Sequence, residues 1–190
     1  MIRNLFALIG LLTVIMVGIV AYKAQGVMAG FDPQAGNVYT ELAKSLIESK
    51  NSAEATVWKV KVQDGVEADD VEEAMKMVAN ELNISHVGEK PLSKDVEAKT
   101  GKPYRLVKIF EFCNSPIAAM MIDYSDAFSA YMPCRVTMVE DKKGGLWLYT
   151  LNMDMMIYGG EPLPPALKEE ALKVKKGMLE IMKRGAAGDF

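Results

Sequence analysis

The chain contains two cysteines, and both stand where neighbouring residues constrain the backbone. Cys113 precedes Asn114-Ser115-Pro116, and Cys134 follows Met132-Pro133, 21 positions later. A disulfide between them would contribute about 3 kcal/mol by closing a loop of this size. A thiol just before a helix also tends to have a lowered pKa, which favours reactivity. The spacing is therefore compatible with a disulfide, with a redox or metal-binding pair, and with two buried free thiols.

Methionine is abundant, with 14 residues, and half of them lie close to the cysteines in sequence. These are Met120, Met121, Met132, Met138, Met153, Met155 and Met156. Thioethers combined with thiolates suit Cu(I), and methionine is also a common filler of irregular cores. We predict core packing for most of them and no bound metal or cofactor. The alternative is a thiol-redox or copper-binding module that uses Cys113 and Cys134, with Met132 or Met153 as further ligands.

Few other residues offer catalytic chemistry. His86 is the one histidine, and its polar surroundings predict a surface position rather than a role beside a nucleophile. Glu111 shares a predicted strand face with Ile109 and Cys113, where a carboxylate more often meets a cross-strand cation such as Arg135. The sequence has no zinc-ligand spacing and no glycine-rich nucleotide motif. We therefore predict no catalytic residue and no enzymatic activity.

The elements that must position these residues follow from the apolar pattern. Alternation predicts strands over 55–63, 104–113, 134–141 and 146–156, and a weaker strand or loop over 84–93. Helical spacing predicts helices over 37–50, 67–83, 94–102 and 115–128, and a long last helix that ends at Gly185. In the fourth helix, Ser115 is the predicted N-cap and Pro116 the first residue. Residues 142–145, Lys-Lys-Gly-Gly, predict a hairpin turn.

This order predicts an α+β fold, an antiparallel sheet with helices packed on one face. Both faces of the strands over 104–113 and 146–156 are apolar, so the uncovered face is expected to meet a second protomer, a ligand or a partner. The helix over 37–50 or the C-terminal segment could cover it instead. The predicted ligand or partner surface comprises Asn114, Met132, Pro133, Trp147, Tyr149, Met153 and Met155.

Residues 5–22 form an uncharged apolar run, which predicts a transmembrane signal anchor of about 27 Å. A signal peptide cleaved near Ala24-Gln25-Gly26 is the alternative. The predicted organisation is an anchor over 1–22, a linker with a short amphipathic helix over 23–54, and an α+β domain over 55–190. The predicted location is a bacterial inner membrane, single-pass, with the C-terminal domain in the periplasm. The 21 basic and 25 acidic residues after the anchor argue against a nucleic-acid partner.

Residues 55 to about 183 resemble the domain of unknown function 302 family. The resemblance rests on four groups of matching residues: Cys113, Asn114 and Ala118; Pro133, Cys134 and Val136; Glu140, Asp141 and Gly145; and Asn152. Ser115, Met132 and Met153 depart from the family pattern. The resemblance implies a β-α-β4-α fold like that of the TATA-box-binding protein, often dimeric, with no nucleic-acid function and no established enzyme activity.

Together these features predict a membrane-anchored, extracytoplasmic, non-enzymatic binding domain or an accessory subunit of a membrane protein complex. Its expected partners are the membrane, through residues 5–22, and either a membrane protein complex or a second copy of the chain.

Overall fold

A computed structural model describes residues 2–189, and within the first helix it describes side chains at positions 6, 9–23 and 26. The helices are α1 (Ile2–Met28), α2 (Ala35–Ser49), α3 (Ser52–Ala55), α4 (Ala68–Glu81), α5 (Leu92–Thr100), α6 (Ser115–Tyr124), α7 (Asp154–Tyr158) and α8 (Pro165–Ala187), with a 3₁₀ helix at Asp126–Tyr131. The strands are β1 (Val57–Lys61), β2 (Ser85–Lys90), β3 (Val107–Cys113), β4 (Cys134–Glu140) and β5 (Leu146–Leu151).

The five strands form one antiparallel sheet in the order β1-β5-β4-β3-β2. Alternation along each strand points one set of side chains to a common face, where Phe110 lies opposite Val136 and Val136 opposite Thr150. The helices α4 and α8 pack against each other and cover this face. Residues 2–189 thus form an α+β fold with one sheet and one main hydrophobic core.

Aromatic, aliphatic and methionine side chains fill this core. Among the largest fully buried ones are Phe110, Phe112, Met75, Met138, Leu148, Met178 and Met182. The helix α8 approaches its neighbours closely at two glycines, since an added Cβ at Gly177 would lie 2.5 Å from Ile84 Cδ1. An added Cβ at Gly185 would likewise come too close to the Met75 side chain of α4. The two glycines therefore set how near α8 lies to the elements beneath it.

The prediction of a transmembrane signal anchor over residues 5–22 is wrong. Within the part of the chain that the structure describes, no helix is both long enough and apolar enough to cross a membrane. A spanning helix needs about 20 consecutive apolar residues. The predicted single-pass inner-membrane location, with a periplasmic domain, rested on this anchor and is overturned with it.

Two element boundaries differ from the sequence prediction for local reasons. The strand β5 ends at Leu151 because the Asn152 side chain accepts a hydrogen bond from the Asp154 N–H, 2.8 Å, and α7 follows. Met153 and Met155 therefore lie outside the strand that was predicted to carry them. At α6, Asn114 rather than Ser115 is the N-cap, and its Oδ1 accepts a hydrogen bond from the Ile117 N–H at 3.2 Å.

The helix α2 is fixed to the rest of the domain at its N-terminal end. The Asp32 N–H donates to the Gly160 carbonyl at 2.7 Å, and the buried Asp32 carboxylate pairs with Lys168 of α8. Tyr39 donates from its hydroxyl to the Gly159 carbonyl at 2.6 Å. These contacts place α2 beside α7, at the edge of the domain where the two cysteines also lie.

Candidate functional site: an aromatic cleft with a sulfur-lined cavity

A cleft of about 930 Å³ lies between α2 and the part of the domain formed by β1, α6, the 3₁₀ helix and α7. Its volume falls in the range of small-molecule sites. Five aromatic side chains line it: Trp58, Tyr124, Phe128, Tyr131 and Tyr158. Aliphatic and thioether groups add to these, among them Val38 and Leu42 of α2 and Met155 of α7. We call this space the aromatic cleft.

One lysine organises two of the aromatic rings. Lys175 of α8 pairs with Asp154 at the start of α7. Its ammonium nitrogen lies 5.4 Å from the centre of the Trp58 ring and 5.6 Å from that of Tyr158. A cation at this distance is attracted by the face of an aromatic ring. The ion pair and the two rings therefore fix one another at the floor of the aromatic cleft.

The polar part of the cleft is acidic. Glu41, Glu54, Asp154 and Glu161 line it, and Lys175 is the one basic side chain among the described lining residues. Lys59 sits outside this lining but pairs with Glu54 at 2.6 Å, and that hydrogen bond raises the pKa of the lysine. An acidic rim disfavours an anionic ligand and leaves the aromatic surface available to a neutral or cationic one.

A much smaller cavity, about 60 Å³, adjoins the cleft, and Phe128, Tyr131 and Met156 line both. Both cysteines and four methionines contribute sulfur atoms to its wall: Cys113, Cys134, Met121, Met132, Met153 and Met156. We call it the sulfur cavity. The structure thus brings together both predicted cysteines with the predicted Met132, Met153 and Asn114.

The elements around the sulfur cavity explain how this sequence assembles it. Cys113 is the last residue of β3, and Cys134 is the first of β4, opposite Phe112 in the antiparallel register. The segment between them folds into α6 and the 3₁₀ helix and returns through a cis Met132–Pro133 peptide bond. The two cysteines are therefore diagonal neighbours at one end of a strand pair, although 21 residues separate them in sequence.

Both cysteines are free thiols, so the predicted disulfide is absent. Burial, together with the nearby Cys113, raises the pKa of the Cys134 thiol to about 11. A thiol with this pKa is almost wholly protonated near neutral pH. Because the thiolate is the reactive form, this environment disfavours thiol-disulfide exchange at Cys134.

The remaining residues of the predicted surface are dispersed. Trp147 lies on the sheet face opposite the core, donates from Nε1 to Asp141 at 3.0 Å, and supports the hairpin turn. Tyr149 lies on that same face, opposite Thr137 and Lys59. Met155 is exposed and lines the aromatic cleft, and Pro133 is half-buried beside Cys134. Tyr149 also shares the lining of a further pocket with Cys134 and Met153, so the residues of the predicted surface lie in more than one place.

The other two candidate residues, His86 and Glu111, are packed against or paired with neighbouring side chains. His86 lies on β2 and packs against the rings of Phe110 and Phe112, with its Nε2 atom 3.6 Å from the Glu89 carboxylate. Glu111 stands opposite Arg135 in the register, but its ion pair is with Lys90 at 3.4 Å. Within residues 2–189, no group of three or more His, Cys, Asp or Glu side chains is arranged to hold a metal ion.

Sequence reasoning missed most of the aromatic cleft. Trp58 alternated as a strand residue, Phe128 fell within a predicted helix, and Lys175 lay in the polar part of an amphipathic helix. None of these positions carried a motif, because the cleft forms only when α2 docks beside β1, α6 and α7. The sulfur residues did carry a signal, since Met121 and Met156 belonged to the methionines grouped around the cysteines.

A known protein family matches the region of the chain that runs from β1 to α8. The family described as "Domain of unknown function DUF302" matches residues 58–185. A crystal structure of an uncharacterized conserved DUF302 protein from Bacillus stearothermophilus matches with a TM-score of 0.55 at 17% identity, covering 68% of this chain and 97% of that one. At this identity the likeness concerns the fold alone. No curated protein matches the chain.

Proposed function

We propose that this chain, which belongs to the domain of unknown function DUF302 family, is a non-enzymatic binding domain that holds a largely apolar small molecule. The observation that carries the proposal is the aromatic cleft, with its volume of about 930 Å³ and its five aromatic side chains. Sites for small molecules are concave, mostly apolar and few per protein. The family and the fold do not by themselves point to a ligand.

The character of the lining supports a ligand that has one or more flat apolar rings and no negative charge. Trp58, half-buried in the lining, is already held in place by Lys175, so little side-chain freedom is lost when a ligand binds against its ring. Glu41, Glu54 and Glu161 place negative charge at the rim. Two of these glutamates, Glu41 and Glu161, are exposed and so remain hydrated while an apolar ligand enters between them.

The lining supports binding rather than catalysis for a simple reason. Asp154 and Lys175, two titratable side chains of the lining, are paired with each other, and Glu54 is paired with Lys59, while Glu41 and Glu161 are exposed to solvent at the rim. His86 lies on β2, outside the described lining of the cleft. A general acid or base needs to be free to exchange a proton with the bound molecule. The cleft is therefore suited to holding a ligand.

The test uses the full chain and N-phenyl-1-naphthylamine, an uncharged aromatic probe whose fluorescence rises in apolar surroundings. Leu42 is a half-buried residue of α2 that lines the cleft, so Leu42→Glu should weaken probe binding about tenfold or more. Ile47, 74% exposed on another face of the same helix, provides the matched control variant Ile47→Glu. Equal affinities for the two variants would overturn the proposal.

A second measurement leaves every residue of the cleft unchanged. The chain has two tryptophans, and Trp147→Phe leaves Trp58 as the sole donor for energy transfer. Probe bound in the cleft should quench Trp58 strongly, whereas probe bound elsewhere, for instance along α1, should not. The anionic analogue 1-anilinonaphthalene-8-sulfonate should bind more weakly than the neutral probe because of the acidic rim. Unquenched Trp58 with saturated probe would contradict a ligand site in the cleft.

A further inference from the structure

The sulfur cavity has a composition that the aromatic cleft does not explain. It gathers the two cysteines of the chain and four methionines around about 60 Å³. Carbon side chains such as Ile117, Ile157, Ala171 and Val174 complete most of the wall. We propose that this cavity is a binding site for one Cu(I) ion, held by the sulfur atoms of Cys113 and Cys134 with methionine thioethers completing the coordination.

The donor set selects the ion. Soft thiolate and thioether ligands favour Cu(I), whereas carboxylate, carbonyl and water oxygens favour Mg²⁺ and Ca²⁺. The described lining includes no carboxylate and no imidazole. The Asn114 side chain lies at the cavity but is already occupied, since its Oδ1 accepts from Ile117 and its Nδ2 donates to the Asn83 carbonyl at 3.1 Å. Sulfur is therefore the donor that remains for an ion.

The placement of the methionines favours coordination over simple filling of space. Met132 approaches from the segment before β4, Met153 and Met156 from the start of α7, and Met121 from α6. Thioethers thus reach one small space from three separate elements around the two thiols. Methionine as a gap filler needs no thiol beside it. Here six sulfur-bearing side chains meet, and apolar residues enclose them.

The protons and charges can be counted for the binding of one Cu⁺ ion. Each coordinating cysteine loses its proton, so binding of Cu⁺ to both releases two H⁺ and leaves one net negative charge at the site, with copper remaining in the +1 state. Because protons and copper compete for the same sulfur atoms, affinity should rise with pH.

The ion has a route to the site. Cys113 and Met132 are half-buried, and Tyr131, which lines both the cavity and the cleft, is 46% exposed. A Cu(I) carrier or a soluble Cu(I) complex would therefore meet the cavity from the inner end of the aromatic cleft. This inference does not depend on the nature of the ligand in the cleft, and its test uses neither the fluorescent probe nor the α2 variants.

The test is an anaerobic titration of the reduced full chain with Cu(I), supplied as its acetonitrile complex, against the chelator bathocuproine disulfonate. The proposal expects one Cu(I) per chain, two protons released per ion in weak buffer, and X-ray absorption dominated by sulfur neighbours. The double variant Cys113→Ser with Cys134→Ser should lose this site. Equal copper retention by that variant would overturn the proposal, as would oxygen or nitrogen as the main neighbours in the wild-type spectrum.

Volume-conserving methionine variants test the thioether ligands without opening a cavity. Met153→Leu with Met156→Leu should weaken Cu(I) binding by roughly tenfold or more, at least the loss expected when an outer-shell partner is removed. Met155→Leu is the matched control, because Met155 is 40% exposed and lines the cleft instead. Unchanged affinity in the double leucine variant would refute coordination by these thioethers. Should the serine variant not fold, this pair and the wild-type spectrum still decide the matter.

Discussion

Lys108 of β3 and Glu72 of α4 form an ion pair at 2.7 Å, with both side chains about four-fifths buried. Glu89 of β2 and Lys76 of α4 extend it to a group of four, since Lys108 lies 2.9 Å from Glu89 and Lys76 lies 2.8 Å from Glu89 and 2.5 Å from Glu72. Two cations and two anions thus join α4 to the edge of the sheet. Ion pairs of this kind shift the pKa values of their own members even where the site has no catalytic role.

This ion-pair group should make the stability of the fold depend on pH in the acidic range. Hydrogen bonds from Lys76 and Lys108 lower the pKa of Glu89 from 4.5 to about 2. A lowered folded-state pKa means that the stabilisation is present above about pH 4.5 and is lost as pH falls towards 2. We expect Glu89→Gln to lower the melting temperature at pH 7 and to flatten its decline between pH 4.5 and 2. Thermal unfolding followed by circular dichroism at several pH values measures both effects.

Glu73→Gln is the control for this prediction. Glu73 lies on α4 next to Glu72, is exposed, and should leave the acid dependence at the wild-type level. A Glu89→Gln protein with the full wild-type loss of stability between pH 4.5 and 2 would show that Glu89 is not the titrating group.

Cys134 should be slow to alkylate in the folded protein. Burial and the proximity of Cys113 raise its pKa from 9.0 to about 11, so the thiolate fraction stays small at pH 8. We expect iodoacetamide to modify Cys134 much faster after unfolding in guanidinium chloride than before it. Cys113→Ser removes one of the two causes and should lower the pKa of Cys134. Peptide mass spectrometry of the alkylated chain over a range of pH gives the pKa directly.

The same raised pKa has a consequence for stability. A group whose folded-state pKa is raised stabilises the fold fully below its unfolded value and loses that contribution as pH rises through the folded value. The free energy of unfolding should therefore fall between about pH 9 and 11 in the wild type. Cys134→Ser should reduce this fall, and an identical alkaline profile in the variant would contradict the assignment.

The sheet was largely predictable because its signals are local. The alternation over β4 and β5, with glycine in the turn at Gly144, where φ is 84°, defines a hairpin from neighbouring residues alone. The end of β5 was missed because Met153 and Met155 continue the alternation that Trp147 and Tyr149 begin. The side chain of Asn152, which accepts a hydrogen bond from the Asp154 N–H, ends the strand where the apolar alternation does not.

The candidate site was predictable only in part. Cys113 and Cys134 stand at the ends of strands that sequence reasoning placed next to each other, so their meeting at one cavity follows from the antiparallel register. The aromatic cleft depends on where α2 docks, and this depends on Asp32, a residue that reads as part of a polar linker. A buried carboxylate paired with a lysine 136 positions away leaves no trace in local periodicity.

Gly185 should not tolerate a side chain. A Cβ at this position would meet Met75, which is fully buried in α4. Alanine ordinarily favours a helix over glycine by about 1 kcal/mol, but overpacking a core costs about 1–3 kcal/mol. We expect Gly185→Ala to be destabilising in urea-induced unfolding. Gly36→Ala in α2, where the added Cβ has no neighbour within 4 Å, should be neutral or slightly stabilising, and a stabilising Gly185→Ala would contradict close packing of α8 on α4.

Asp32 should control the position of α2 and hence the shape of the aromatic cleft. The hydrogen bond from Lys168 and the Gln34 N–H, which donates to its Oδ1 at 2.9 Å, lower the pKa of this buried carboxylate. Asp32→Asn keeps the size of the side chain but leaves Lys168 without its anion. We expect faster amide hydrogen exchange across α2, measured by mass spectrometry, with α4 little changed, and weaker binding of N-phenyl-1-naphthylamine.

Lys168→Met should loosen α2 at least as much as Asp32→Asn does, because it leaves the Asp32 carboxylate buried without a cation. Its effect should grow as pH rises, because that carboxylate then ionises. Asp64→Asn is the matched control, since Asp64 pairs with Lys61 at 3.0 Å on the surface with 94% of its side chain exposed. It should leave exchange in α2 and probe binding unchanged. Protection of α2 that survives both Asp32→Asn and Lys168→Met would mean that the Tyr39 contact to Gly159 holds the helix alone.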